Sequence, residues 1–498
     1  MIVMKYILSI DQGTTGSRAY IFDKSGRIVS GAYKEFRQIY PREGWVEHDA
    51  EEIWRSVEFV VKQALAAKKI KASDIAAIGI TNQRETTVLW DRKTGKPLHN
   101  AIVWQCRRTA PICEDLKKKG YSGLFRRKTG LIIDPYFSGT KIKWLLSNLS
   151  QSHTSRSDTS PCVGTMDTWL IWKLTGGKTH ATDYTNASRT LIFNIRQKKW
   201  DGQLLKILGI PKAILPEVKP SSSIFGYTAK GACGLPAGIP ISGVAGDQQA
   251  ALFGQGCFSE GEMKNTYGTG CFLVLNTGKK FILSNKGLLT TLACDTRGLP
   301  CYAQEGSIFI AGAAIQWLRD ELKIIGESRE SEKRAMECVD TGGVYFVPAF
   351  VGLGAPYWDP RARGTITGIT RGTQRRHIIR AALEAIAYEV KDVADIMEKE
   401  TGNRLKSLKV DGGACGNSFL MQFQADILGI KIIRPKITET TAKGAAMLAG
   451  LAVGFWKSPA ELRHTLAAGK IFSPRMKAGQ RQALYSGWLA AVRKARAS

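Results

Sequence analysis

Residues 6–22 read YILSIDQGTTGSRAYIF. The alternating apolar run Tyr6–Ile10 meets Asp11-Gln12-Gly13-Thr14-Thr15-Gly16 and resumes as the strand-like Arg18–Phe22, the pattern of a β-hairpin. Its turn region carries a carboxylate, glycines and two threonine hydroxyls where the backbone can come close to a nucleotide phosphate. Taken alone, it reads more readily as an ordinary hairpin. Two more glycine turns lie far downstream beside strand-like sequence, Tyr267-Gly268-Thr269-Gly270 and Asp411-Gly412-Gly413. Three such turns spread over both halves of the chain point to one nucleotide held between two domains.

Outward from that hairpin the chain is long enough, at 498 residues, to expect two cores. Strand-like Tyr6–Ile10, Arg18–Phe22 and Ile75–Ile80 alternate with helical sequence after His48-Asp49, where Glu51-Glu52 precede Ile53, Trp54, Val57 and Val60-Val61. That alternation predicts an α/β fold. Gly- and Pro-rich sequence from Gly231 to Gly243 and the Gly- and Ala-rich stretch after it predict a boundary near 254, giving domains 1–254 and 255–498. The second half opens like the first, with the hairpin pattern EMKNTYGTGCFLVLNT, and Arg376 to Met397 has apolar residues at helical spacing. The two domains are therefore expected to share an organisation and to face a central cleft. Ser147–Ser160 reads as an exposed loop.

The longest apolar stretch, SIFIAGAAIQWL, is too short to span a bilayer and reads as a buried helix. The N-terminus meets Asp11 early and reads as a first strand rather than a signal peptide, so no membrane insertion and a cytoplasmic location are expected. Ten cysteines lie without C-x-x-C pairs, as reduced structural thiols do; Cys415, inside a glycine turn, reads as a reactive thiol or as a small filler. Lys and Arg outnumber Asp and Glu by 71 to 43, a net +28. Such a balance raises nucleic-acid binding, but the charge is scattered in short clusters without interleaved aromatics. A solvated basic surface with no specific nucleic-acid partner is the expectation.

There is no G-x-x-x-x-G-K-[ST] run and no protein-kinase signature, so phosphate handling falls to the hairpins. Amides around Gly13–Thr15 and the hydroxyls of Thr14 and Thr15 can bind phosphate oxygens, and Asp11 can hold a hydrated Mg²⁺. Gly79-Ile80-Thr81-Asn82-Gln83-Arg84-Glu85 places a cation beside a carboxylate just past a strand, where open α/β sheets bind ligands. Arg84 and Glu85 can together hold vicinal hydroxyls, or form a surface ion pair. Asp247 follows the apolar run Ile241–Ala245 and opens a helix-forming segment; it reads as a general base or as a helix N-cap.

At these residues the chain resembles the FGGY carbohydrate kinase family of the actin–hexokinase–Hsp70 superfamily, in particular its members that act on glycerol. The motifs carrying the resemblance run almost end to end: DQGTT, GWVEHD, GITNQRETTVLWD, AIVWQCRRT, YFSGTKIKWLLSN, MDTWLIWKLTGG, GDQQAALFGQ, NTYGTGCF, VPAFVGLGAPYWDPRARGTITGITRGT and VDGGACGN. The resemblance implies two actin-like, ribonuclease H-like domains and transfer of a phosphoryl group from ATP to glycerol with Mg²⁺. It implies a glycerol site of Arg84, Glu85, Tyr136, Asp247 and Gln248 with Trp104 and Phe272 as apolar wall, Asp247 being the base. It assigns the nucleotide to Thr14, Thr15, Gly16, Arg18, Thr269, Gly312, Gln316, Gly412 and Asn417, and the metal to Asp11 and Asp247. Gly16 departs from the serine of many members. A homodimer or homotetramer is implied as well, and KGACGLPAG, lacking arginine, implies weak or no inhibition by fructose-1,6-bisphosphate. The competing readings are a kinase of the same family acting on a longer polyol or ketose, a nucleotide-binding regulator that has lost phosphotransfer, and a nucleic-acid module.

Overall fold

A computed structural model describes residues 5–151, 159–359, 361–466 and 468–497. The chain divides into two compact units, the first made of residues up to Phe258 with Thr290–Tyr302 and Thr440–Leu466, the second of Ser259–Leu289, Ala303–Glu439 and the segment from Ala467 on. The first run of the first unit ends close to the boundary expected near 254, and the chain then returns twice to that unit. Its second return is the helix Thr440–Ala452, which packs on the first unit's strands. Glycines make that packing possible: a Cβ on Gly444 would lie 1.8 Å from the Ala250 carbonyl oxygen, and one on Gly79 would lie 2.3 Å from that of Ala445. No periodicity in residues 440–452 tells which sheet the helix will cover.

The first unit is built on a six-stranded sheet of β1 (Tyr6–Gln12), β2 (Gly16–Phe22), β3 (Ile28–Glu35), β4 (Ile75–Asn82), β5 (Ser222–Tyr227) and β6 (Pro240–Gly246), in the order β5-β6-β4-β1-β2-β3. β1 to β3 form an antiparallel meander, whereas β1, β4 and β6 are parallel. The opening strand runs on through Asp11 and Gln12, so the turn itself is only Gly13–Thr15, closed by Gly13 N–H donating to the Gly16 carbonyl at 2.9 Å. Helix α1 (Ala50–Ala66) starts where the sequence predicts, the Asp49 carboxylate accepting from Glu51 N–H at 2.8 Å, and buries Ile53, Trp54, Val57, Val60 and Val61. Helix α2 (Ser138–Gln151) runs into the segment expected as a loop; of the remainder, residues 152–158 lie outside the described residues and 159–160 form neither helix nor strand. Helix α3 (Asp247–Gly254) follows β6 directly.

The second unit follows a similar plan in a seven-stranded sheet, with its last two strands in the opposite order and Leu289–Cys294 beside Pro300–Ile308. Its strands β7 (Met263–Tyr267), β8 (Cys271–Gly278), β9 (Pro300–Ile308), β10 (Ser407–Asp411), β11 (Lys431–Pro435) and β12 (Ala468–Phe472) lie in the order β9-β8-β7-β10-β11-β12. β7 and β8 form the expected hairpin, β7, β10 and β11 are parallel, and β12 is antiparallel to β11. SIFIAGAAIQWL is not one helix: its β-branched start ends β9, and helix α4 (Gly312–Asp320) begins after a turn. The expected long helix is present as α5 (Arg375–Thr401), with Ile379, Leu383, Ile386, Val390, Val393 and Met397 all buried in the core.

Candidate active site

Strand register builds the site in the first unit. Asp11, Thr81 and Ala245 lie side by side on β1, β4 and β6, and Asn82 pairs with both Gln12 and Gly246, so the three parallel strands end at one level. Arg84, Glu85 and Asp247 follow immediately beyond those ends, the position at which open α/β sheets bind ligands. Arg84 and Glu85 are 3% and 1% exposed, which removes the surface ion-pair reading. Arg84 Nε lies 3.2 Å from Asp247 Oδ1 and 3.9 Å from Glu85 Oε1, and its NH1 donates to Gln249 Oε1 at 3.3 Å. Asp247 is not the N-cap of α3 but its first residue; Gly246 is the cap. Its Oδ1 accepts from Gln248 N–H at 2.7 Å, and the helix N-terminus favours a negative charge there. The carboxylate is one-third exposed, thus open to a ligand, whereas Gln248 is almost wholly buried.

Glu85 is held from a direction the sequence does not announce. Arg189 Nε donates to Glu85 Oε1 at 2.6 Å, and the Arg189 guanidinium lies over the rings of Tyr136 and Phe137 at 5.6 and 5.3 Å. Both side chains of this pair are wholly buried, where low dielectric strengthens a charge-assisted bond. The one signal in sequence is an arginine in a short polar run, Thr185 to Thr190, with no acidic neighbour inside it. Tyr136 meets Trp104 edge-on at 5.6 Å, and Trp104 Nε1 donates to Thr14 Oγ1 at 3.0 Å. Phe272, the other expected wall residue, stands half-buried on β8 of the second unit.

The turn Gly13–Thr15 is braced by side chains from scattered segments. Gln12 and Gln83 donate to the Gly13 carbonyl at 2.7 and 3.2 Å, and Gln38 donates to that of Thr14 at 3.1 Å. Behind them His48 Nε2 shares a hydrogen bond with Gln38 Oε1 at 2.8 Å, and burial lowers its ring to about 4, so the imidazole is neutral near pH 7. With its carbonyls engaged, the turn has N–H and hydroxyl groups to offer a phosphate. Gly16 sits in β2, where a Cβ would lie 2.5 Å from the Tyr33 ring, which explains glycine in place of serine. Arg18 lies 3.7 Å from Asp11 and over the Tyr33 ring at 5.0 Å.

In the second unit the register places the other glycine turns together. Thr266 pairs with Asp411, and a Cβ on Gly412, whose φ is +83°, would lie 2.4 Å from the Tyr267 carbonyl oxygen. The carbonyls of Gly268 and Thr269 accept from the backbone at the start of α4, Gly312 N–H at 3.0 Å and Ala311 N–H at 2.8 Å. Thr269, Gly312 and Gly412 thus form one backbone surface, with Gln316 exposed on α4. Asn417 is engaged in structure: its Oδ1 caps the helix Ser418–Leu428 through Leu420 N–H at 2.9 Å, and its Nδ2 donates to Ser331 Oγ at 3.3 Å. Cys415 is buried and its thiol is pushed up to about 12 by burial, so it is the filler and not a reactive thiol.

Among the described residues no group of three or more His, Cys, Asp or Glu could hold a metal ion. Magnesium, however, needs one or two carboxylates when phosphates supply the remaining oxygens. Asp11, at the end of β1, and Asp247, just beyond the end of β6, have the hard oxygen donors that fit that ion.

Comparison with known proteins agrees with this architecture. Residues 6–254 match the N-terminal domain, and residues 263–453 the C-terminal domain, of the FGGY family of carbohydrate kinases. The chain is 60% identical over 489 residues to glycerol kinase 2 of Thermotoga maritima, covering 98% of each sequence. It is also 60% identical over 491 residues to the glycerol kinase of Thermoanaerobacter pseudethanolicus, covering 99% of this chain and 98% of the relative. A crystal structure of Plasmodium falciparum glycerol kinase with ADP superposes with a TM-score of 0.92 at 39% identity, over 99% of this chain and 98% of that one. Gluconate kinase from Lactobacillus acidophilus shares the fold with a TM-score of 0.89 at 25% identity, over 99% of both chains.

Proposed function

We infer from its membership of the FGGY family of carbohydrate kinases, to which the chain belongs through both of its halves, that this protein transfers the γ-phosphoryl group of ATP to glycerol. The products are sn-glycerol 3-phosphate and ADP. What carries glycerol over a longer sugar is identity across the full chain: 60% with glycerol kinases against 25% with gluconate and xylulose kinases of the same fold.

In this reading Arg84 and Glu85 grip two hydroxyls, Arg84 donating and Glu85 accepting, which is the pairing that vicinal hydroxyls satisfy. Tyr136 and Gln248 complete the polar grip, and Trp104 with Phe272 lines the carbon chain. Asp247 accepts the proton of the terminal hydroxyl as its oxygen attacks the γ-phosphorus and the bond to ADP breaks. Arg84, 3.2 Å from that carboxylate, fixes its position. The turn around Thr14 and Thr15, with Gly16 and Arg18, and the surface of Thr269, Gly312, Gln316, Gly412 and Asn417 bind the nucleotide. Mg²⁺, held through Asp11 and Asp247, would supply charge neutralisation of the phosphates. Positioning and electrostatics are the protein's contribution, since the transition state asks for little covalent chemistry.

No helix among the described residues is long and apolar enough to cross a membrane. A cytoplasmic homodimer or homotetramer completes the reading, supported by the family resemblance.

The test is a coupled assay of kcat/KM for glycerol, erythritol, xylulose and ribulose, with Asp247→Asn as control. Preference for a ketose would transfer the assignment to another branch of the family. ATP binding without phosphotransfer to any of them would leave only a regulator.

A further inference from the structure

We propose that Lys141 is a positioning residue for the polyol, tying the Glu85 turn to the Tyr136 loop so that their hydroxyl-binding groups keep one spacing. The inference rests on the reading of Arg84, Glu85 and Tyr136 as the polyol-binding set. Lys141 lies on α2 and is wholly buried. Its Nζ donates to two backbone carbonyls from separate segments, Tyr136 at 2.5 Å and Glu85 at 3.3 Å. One turn earlier on the same helix, Ser138 Oγ also donates to the Glu85 carbonyl, at 3.0 Å, and Thr87 Oγ1 adds a bond of 3.1 Å.

Glu85 needs such support. Its φ of +60° is the left-handed region, uncommon for any residue with a Cβ, and such a conformation persists only where its surroundings over-determine it. Without that turn the carboxylate would leave its place beside Arg84. A buried ammonium is itself unfavourable; desolvation lowers Lys141 to about 8 against the opposing pull of the Glu85 carboxylate. Replacing Lys141 alone would take a donor from two buried carbonyls and cost stability, so the kinetic readout, and not stability, separates positioning from a purely structural role. The lysine makes sense as a device that fixes two carbonyls, and through them the Glu85 carboxylate and the Tyr136 phenol, relative to each other.

The experiment is steady-state kinetics of the full-length enzyme, varying glycerol and ATP separately, for Lys141→Met, Ser138→Ala, Glu85→Gln and the double variant of Lys141→Met with Glu85→Gln. Lys141→Met should raise the glycerol KM roughly tenfold to a hundredfold, the range that misplacement of about an ångström produces, and leave the ATP KM within about twofold. Ser138→Ala should raise the glycerol KM by about threefold through loss of one hydrogen bond. In the double variant the two effects should fall well short of multiplying, because Lys141 acts through Glu85. An unchanged glycerol KM in Lys141→Met, a parallel rise in both KM values, or full multiplication would each overturn the proposal. If Lys141→Met does not fold, Ser138→Ala decides by the same criterion, an unchanged glycerol KM overturning it. A wild type that forms no glycerol 3-phosphate would instead overturn the function itself, so the two failures are distinguishable.

Discussion

The two sheets share a hairpin-first plan but not a strand order, since the antiparallel strand beside β6 precedes it in the chain whereas the one beside β11 follows it, and their glycine turns are built differently as well. In the first unit the Gly13 and Thr14 carbonyls are taken by side chains, Gln12, Gln83 and Gln38, with His48 behind them, while that of Thr15 accepts from Phe36 N–H. In the second the carbonyls of Gly268 and Thr269 are taken by main-chain N–H groups at the start of α4. Side chains drawn from separate segments thus brace the first turn, leaving its N–H and hydroxyl groups for a phosphate. A main-chain surface suits phosphates, which every nucleotide presents alike. In the proposed reading the polyol-binding residues Arg84, Glu85 and Asp247 stand in the first unit beside a phosphate-binding turn, whereas the second unit contributes chiefly a nucleotide surface.

That contrast is open to direct attack. The largest expected effect is in the first unit: Asp247→Asn keeps the shape, removes the base and should lower kcat by about 10²–10⁴-fold with ATP binding intact, read by coupled assay and nucleotide titration. Retained turnover would end its assignment as base. Next comes Arg189→Met, which leaves the Glu85 carboxylate buried without its 2.6 Å partner; a loss of roughly 3–5 kcal/mol of stability or a large rise in glycerol KM is expected, by thermal melting and kinetics. In the second unit the equivalent damage should come from a backbone change. Gly412→Ala introduces a Cβ against the Tyr267 carbonyl at a positive φ, costing about 1–3 kcal/mol, and should raise the KM for ATP several-fold while the glycerol KM stays put. A matching rise in the glycerol KM would show that the division of labour is wrong.

The smallest effect is in acid stability. Burial lowers His48 from its ordinary 6.5 to about 4, so between those values the unfolded chain binds a proton that the folded chain refuses. Its contribution is complete above about pH 6.5 and is lost progressively down to about pH 4. His48→Gln should therefore lose less stability than wild type between pH 7 and pH 5, by about 1–2 kcal/mol in denaturant titrations. Equal pH slopes would show that the brace behind the first turn does not titrate.

Much of the fold was legible because it is local. The hairpins around residues 13 and 269, the helix capped by Asp49 and the apolar stripe of α5 each follow from alternation, helical spacing or a capping residue within a few positions. Where local signals conflicted, the reading failed: SIFIAGAAIQWL contains both a strand end and a helix start, and apolar content alone does not separate them. Candidate site residues at strand ends were found by motif. Their partners were not, since Arg189 lies 104 positions from the Glu85 it holds.

The amino-acid sequence by itself determined the α/β class, the paired hairpins, the family and the residues at the ends of β1, β4 and β6. Only the tertiary structure decided that Asp247 opens α3 rather than capping it, that Arg189 and Lys141 converge on Glu85, and that residues 440–452 belong to the first unit. The reason is range. Pattern in a chain reports what each residue does within a turn or two, whereas strand register and glycine-permitted close approach join segments whose separation leaves no periodic trace.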